Sequence, residues 1–156
     1  MILVAAAPGH RGVVAGASDR LRLAEAAFAD LPAEVVLDEH AFTVDAVRGA
    51  RFGEAIFVVG GDEGAAFPTW KEPEEVLRWV RLAVGTRSGF AAPDLGRYGD
   101  RVLCFELESP AVSSSEVRER VARGEAIDDL VPAAVAAAIE SLRLYRGYTE
   151  PAPERT

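Results

Sequence analysis

The sequence predicts an α/β fold built around a parallel sheet, and three observations carry that expectation. Short apolar runs, Ile2–Ala6, Glu34–Leu37, Ala55–Val59, Leu82–Gly85 and Val102–Leu107, alternate with stretches of helical periodicity. The runs are continuous rather than alternating, as expected of strands covered on both faces. Gly- and Pro-rich connections follow several of the runs, which is where open parallel sheets place ligands. A length of 156 residues and 49% hydrophobic residues suit one domain, residues 1–148, with 149–156 as a frayed tail.

Taken in order, Ile2–Ala6 reads as a buried strand. Ser18 and Asp19 offer N-caps for a helix with Leu21, Ala24, Ala27, Phe28 and Leu31 on one face, stopped by Pro32. After the second strand a short helix is expected from Thr43 to about Ala50, with Thr43 a plausible cap. The third strand ends at Gly60-Gly61-Asp62, and a loop holding Phe67, Pro68 and Trp70 follows. Pro73 suits the first turn of a helix that points Val76, Leu77, Val80 and Trp79 inward. The fourth strand closes at Thr86-Arg87, residues 88–100 form a loop, and Val102–Leu107 is the last strand. Ser113-Ser114-Ser115-Glu116 has the form of a capping box and opens a helix to about Arg123, ended by Gly124. Pro132 opens a final helix to about Leu144.

Composition narrows the function classes. The net charge of −8 and pI near 4.8 disfavour a general nucleic-acid binder, since an acidic surface repels phosphate backbones. The lone Cys104 permits no internal disulfide, sits in an apolar run where a buried inert thiol is expected, and fits a reducing cytoplasm. Two histidines, His10 and His40, form no Cys/His metal cluster. No apolar stretch reaches membrane-spanning length, and the N-terminus has no signal-peptide pattern.

The residues just past the strand ends are the candidates for chemistry. Three hydroxyls at a helix start, with Arg118 in the first turn, could converge on an anionic group, or one serine could simply cap the helix. Gly60 and Gly61 would let a ligand approach the backbone, and Asp62 could accept a ribose hydroxyl or cap. Trp70 could stack on a heteroaromatic base or plug the core. Arg87 could reach a phosphate or be solvated. His10, beside Arg11 in Pro8-Gly9-His10-Arg11, could donate to a phosphate or lie in solvent; no orienting partner for a general base is visible.

In order, Phe57-Val58-Val59-Gly60-Gly61-Asp62, Phe67, Trp70-Lys71 and Val84-Gly85-Thr86-Arg87-Ser88-Gly89 resemble bacterial nicotinate mononucleotide adenylyltransferase. Val112-Ser113-Ser114-Ser115-Glu116-Val117-Arg118-Glu119-Arg120 is similar to that family's ISSTxIRxR motif, and Ala126-Ile127 through Leu130-Val131-Pro132 to Leu144-Tyr145 to its C-terminal signature. The likeness spans roughly residues 2–146. It implies a Rossmann-like parallel sheet of the nucleotidyltransferase type and transfer of AMP from ATP to nicotinate mononucleotide in NAD biosynthesis, with release of pyrophosphate. It implies that Ser113, Ser114, Ser115 and Arg118 hold the ATP phosphates, and that Gly60 and Asp62 line the adenosine side. His10, Arg11, Phe42, Thr43, Trp70 and Arg87 would fall on the mononucleotide side, and Mg²⁺ would enter with ATP rather than on a protein metal site. The implied partners are small nucleotides, not nucleic acid or membrane.

The sequence also departs from the family. The substrate loop reads Pro-Gly-His-Arg where PPHK is usual, Ser115 replaces a threonine, and no HxGH motif is present. The expectation is that the first strand-loop-helix unit, with the catalytic histidines, is missing, so that no catalytic residue lies in this chain. The strands led by Ile2 and Ala55 would then lose a central neighbour. An upstream start, a second chain or a smaller closed sheet would each answer that loss, and an exposed sheet edge would favour a homo-oligomer. Two functions follow: an enzyme of NAD biosynthesis, weak or inactive as this chain alone, or a non-catalytic nucleotide-binding remnant or complementing half.

Overall fold

The computed structural model describes residues 1–7, 14–48, 54–108 and 112–149, which gather into two compact units. The first comprises residues 1–39 and 111–156, the second residues 40–110.

In the first unit, strand β1 (Ile2–Ala5) pairs in parallel with β2 (Val35–Asp38), Ile2 opposite Val35 and Ala5 opposite Asp38. Helix α1 (Ala17–Ala27) joins them. Helices α5 (Ser114–Arg123) and α6 (Ala133–Ser141) complete the unit. Val117, Ile127, Val135 and Ile139 form its buried core, with Leu23 and Ala26 of α1 packed against them. Four-residue spacing puts Val135 and Ile139 of α6, and Val117 and the partly buried Val121 of α5, on one face of each helix, as an amphipathic helix requires.

The second unit runs α2 (Thr43–Val47), β3 (Ile56–Gly60), α3 (Gly61–Ala66), a 3₁₀ turn (Phe67–Thr69), α4 (Pro73–Trp79), β4 (Arg81–Arg87), a 3₁₀ segment (Gly96–Arg101) and β5 (Val102–Leu107). The strands form a parallel sheet in the order β3-β4-β5. Leu82 and Val84 on the central β4 are fully buried among Val44, Val47, Phe67, Val76, Leu77 and Tyr98. Leu82 and Val84 sit opposite Phe57 and Val59 of β3, so the apolar runs meet in register.

Several local expectations are corrected. Helix α1 begins at Ala17 with Gly16 as its cap and no side-chain capping bond, so Ser18 and Asp19 lie inside the first turn. It ends at Ala27, where Phe28 leaves helical geometry (φ −111°, ψ 12°), before Pro32 is reached. Phe42, not Thr43, caps α2, and residues 49–50 lie outside the described residues. A short helix and a 3₁₀ turn replace the loop expected between Gly61 and Thr69. Helix α6 stops at Ser141 rather than near Leu144, because Arg143 and Tyr145 turn to positive φ. Trp79 is 37% exposed, its Nε1 donating to Glu75 at 3.1 Å rather than entering the core. Cys104 is exposed: among the described residues β5 pairs with β4 alone, and a strand at a sheet edge can show apolar residues that a periodicity argument would bury.

Candidate functional site

The start of α5 is the most developed polar cluster. Ser113 adopts extended backbone (φ −117°, ψ 147°), and its hydroxyl accepts from the Glu116 N–H at 3.1 Å. One serine therefore caps the helix as expected. The carboxylate of Glu116 instead accepts from Arg120 Nη2 at 2.9 Å. Ser114 is exposed and Ser115 half-buried on the first turn, where backbone N–H groups have no intrahelical partner.

The arginines of α5 divide by what they are tied to. Arg120 also bonds Asp129 at 2.9 and 3.0 Å; hydrogen bonds to Asp129 and then Glu116 push its pKa above the usual guanidinium value. Arg123 is paired with Glu125 at 2.7 and 2.8 Å, and that contact raises its pKa and lowers that of Glu125. Arg118 has no carboxylate partner among the described residues. Its Nη2 donates to Ser115 Oγ at 3.0 Å, and its Nε is buried with no hydrogen-bond partner. A buried unpaired donor costs free energy unless a ligand answers it.

The contacts of three side chains here were not legible in the sequence. Tyr148 lies under the Arg118 guanidinium, 5.0 Å from ring centroid to Cζ. The half-buried Tyr145 hydroxyl has a raised pKa, chiefly from burial, with Arg118 and Arg20 opposing the shift and Asp19 adding to it. Arg20 of α1 grips the end of β1. It donates to the carbonyls of Ala5 at 2.6 Å, Ala6 at 2.8 Å and Ala15 at 3.2 Å. Sequence separations of 15 and 14 from Ala5 and Ala6 leave no local pattern to reveal these bonds. His10 and Arg11, on the segment between, lie outside the described residues.

In the second unit, Gly60 ends β3 and caps α3, with Asp62 exposed in the first turn and making no capping bond. A Cβ added at Gly60 would meet nothing within 4 Å, so its backbone is open to approach. Gly64, not singled out from the sequence, is the packing glycine: a Cβ there would run into the Val84 side chain. Arg87 ends β4 and is exposed.

Trp70 is half-buried and meets Phe67 edge-on at 5.2 Å and Phe57 at 6.3 Å, so it seals one side of the core. The sequence left stacking and core plugging open; the ring packs on the core and keeps an exposed portion. Lys71, next in sequence, sits over the ring of the half-exposed Phe42 at 4.6 Å and bonds Asp45 at 2.9 Å. Phe42, Thr43 and Trp70-Lys71 thus belong to one neighbourhood, the start of α2 and the turn before α4.

Parallel strands, one of them ending at Gly60, and a hydroxyl-capped helix start with an unspent guanidinium are features suited to a nucleotide in an α/β protein. Residues 1–120 match the cytidylyltransferase-like family model. A protein of Dehalococcoides mccartyi named "Probable nicotinate-nucleotide adenylyltransferase" is 33% identical over 150 residues, 85% of this chain and 74% of its own. One so named from Bordetella avium is 34% identical over 163 residues, 93% of this chain and 81% of its own. The chain belongs to the cytidylyltransferase-like family, among the nicotinate-nucleotide adenylyltransferases. The fold agrees with that of Plasmodium falciparum nicotinic acid mononucleotide adenylyltransferase complexed with NaAD. The TM-score is 0.66 at 14% identity, over 92% of this chain and 82% of that one. Among the described residues no helix is long and apolar enough to cross a membrane.

Proposed function

We propose that this chain binds ATP and nicotinate mononucleotide for adenylyl transfer in NAD biosynthesis. The observation that carries this reading is Arg118, whose buried Nε has no partner while Arg120 and Arg123 are held by carboxylates. A guanidinium beside a hydroxyl-lined helix start is suited to a polyphosphate, with N–H groups, serine hydroxyls and the helix dipole all favouring negative charge. Ser113, Ser114, Ser115 and Arg118 would hold the ATP phosphates. Gly60, open to approach, and Asp62 would lie toward the adenosine, the carboxylate accepting a ribose hydroxyl.

On the mononucleotide side, Trp70 would offer its exposed portion to the pyridine ring, with Phe42 and Thr43 nearby. His10, Arg11 and Arg87 would face the mononucleotide phosphate. Mg²⁺ bound to ATP would neutralise phosphate charge; serine hydroxyls and a guanidinium suit phosphate oxygens rather than the ion. In the reaction a mononucleotide phosphate oxygen attacks the α-phosphorus in line and pyrophosphate departs. The protein's part is to align both groups and to oppose the charge on the leaving phosphates.

The two histidines of the sequence, His10 and His40, form no HxGH pair. We therefore expect this polypeptide alone to bind both nucleotides and to turn over weakly or not at all, as a nucleotide-binding remnant or complementing half would. Turnover is measured with nicotinate mononucleotide, ATP and Mg²⁺, alongside calorimetric binding of each nucleotide. Robust turnover would refute the expectation of weak activity, and absence of binding to either nucleotide would overturn the proposal.

A further inference from the structure

The Arg118 guanidinium lies beside the segment that follows α6, in the same unit. The chain there turns through three left-handed positions, Arg143 (φ 53°), Tyr145 (φ 62°) and Gly147 (φ 73°), and the N–H of Tyr148 donates to the carbonyl of Tyr145 at 3.1 Å. A left-handed tyrosine is costly, since its Cβ crowds the backbone, so surrounding contacts must hold the turn. Tyr145 is held in this way, packing on the core formed by Val117, Ile127, Val135 and Ile139. The outcome is that the Tyr148 ring stands against the Arg118 guanidinium, 5.0 Å from its centroid to Cζ.

We propose that Tyr148 is a positioning residue that presets Arg118 to receive the ligand's phosphate; this rests on the phosphate role of Arg118 given above. The Arg118 Cζ lies over the Tyr148 ring, and Ser115 Oγ accepts from Nη2 at 3.0 Å. The guanidinium thus has a ring contact and one hydrogen bond, while among the described residues the buried Nε has no partner. Stacking on an aromatic face leaves the in-plane N–H donors of an arginine available for a phosphate. A long side chain ordered before the ligand arrives loses less freedom on binding, and affinity rises accordingly. The ring supplies this effect and the hydroxyl is dispensable, so phenylalanine should serve at position 148 and leucine should not.

The test measures ATP–Mg²⁺ and nicotinate mononucleotide binding by calorimetry for the full chain and for Tyr148→Phe, Tyr148→Leu and Arg118→Gln. Tyr148→Leu should weaken ATP about threefold, the size of an ordinary cation–π contact, and leave the mononucleotide unchanged. Tyr148→Phe should bind as the parent does, and Arg118→Gln should weaken ATP about tenfold or more. If Arg118→Gln loses ATP affinity and Tyr148→Leu does not, the positioning role is wrong and the phosphate role of Arg118 stands. An unchanged Arg118→Gln, or a parent chain that binds no ATP, removes both. Equal losses for the two nucleotides in Tyr148→Leu, or a Tyr148→Phe as weak as Tyr148→Leu, would show a structural or hydroxyl role instead and overturn the proposal.

Discussion

Helices α3 and α5 contrast in what their first turns are made of. Helix α3 opens on glycines and then Asp62 and Glu63, with no side-chain cap, and ends after six residues. Helix α5 opens on a serine that caps it, runs for ten residues, and carries Arg118 with a spare donor. The first turn of α3 presents carboxylates where an anion would have to sit, so anion binding there is opposed. Its glycines serve closeness instead, Gly64 against Val84 and Gly60 open to approach. The start of α5 combines positive dipole, hydroxyls and a guanidinium, all of one sign of preference. Two elements of the same kind thus differ at their starts, α3 suited to close approach and α5 to negative charge.

Mutations near α3 should therefore damage stability, and those at α5 should damage phosphate binding. The largest effect is expected for Trp70→Ala, which removes a ring packed on Phe57 and Phe67 and should cost about 3 kcal/mol by denaturant titration. It should also weaken the mononucleotide more than ATP; equal weakening would count against stacking on the pyridine ring. Gly64→Val forces a branched side chain onto Val84 and should cost about 2 kcal/mol, with ATP affinity of the folded fraction retained. A loss of ATP affinity without loss of stability would reverse the assignment of α3. Arg118→Gln should leave the melting temperature in place and reduce ATP affinity, as set out above.

Smaller effects refine the contrast. Ser113→Ala deletes the bond to the Glu116 N–H and should cost about 1 kcal/mol, visible as reduced helicity and a lower melting temperature. Substituting Asp62 by alanine should cost much less stability, since it caps nothing. The smallest effect concerns pH. Burial favours the neutral Tyr145 hydroxyl, so its folded pKa lies above the ordinary value of 10.0. Its contribution to stability is whole below about pH 10 and is lost as pH rises through the folded pKa. A melting-temperature series up to pH 11 should show this decline, shallower in Tyr145→Phe; identical slopes would show that the hydroxyl carries none of it.

The core strands and the α5 cap were legible because both depend on neighbours in sequence. Residues 102–107 mark where that legibility ends. An unbroken apolar run announces a strand, but which strand lies at an edge depends on the other strands, and Cys104 is exposed. Trp79 shows the same limit at a helix end, where one residue's rotation decides between core and solvent.

By itself the sequence determined the α/β class, the serine cap, the glycine ending α5 and the ordered motifs that place the chain in its family. These follow from local sterics, periodicity and capping chemistry, which act over a few residues. Only tertiary structure decided that Arg118, rather than Arg120 or Arg123, keeps an unspent donor, that Tyr148 backs it, and that Arg20 holds the end of β1. The three arginines of α5 are chemically alike in a sequence. Which carboxylates, carbonyls and rings reach them is settled by distant segments brought together when the apolar faces are buried.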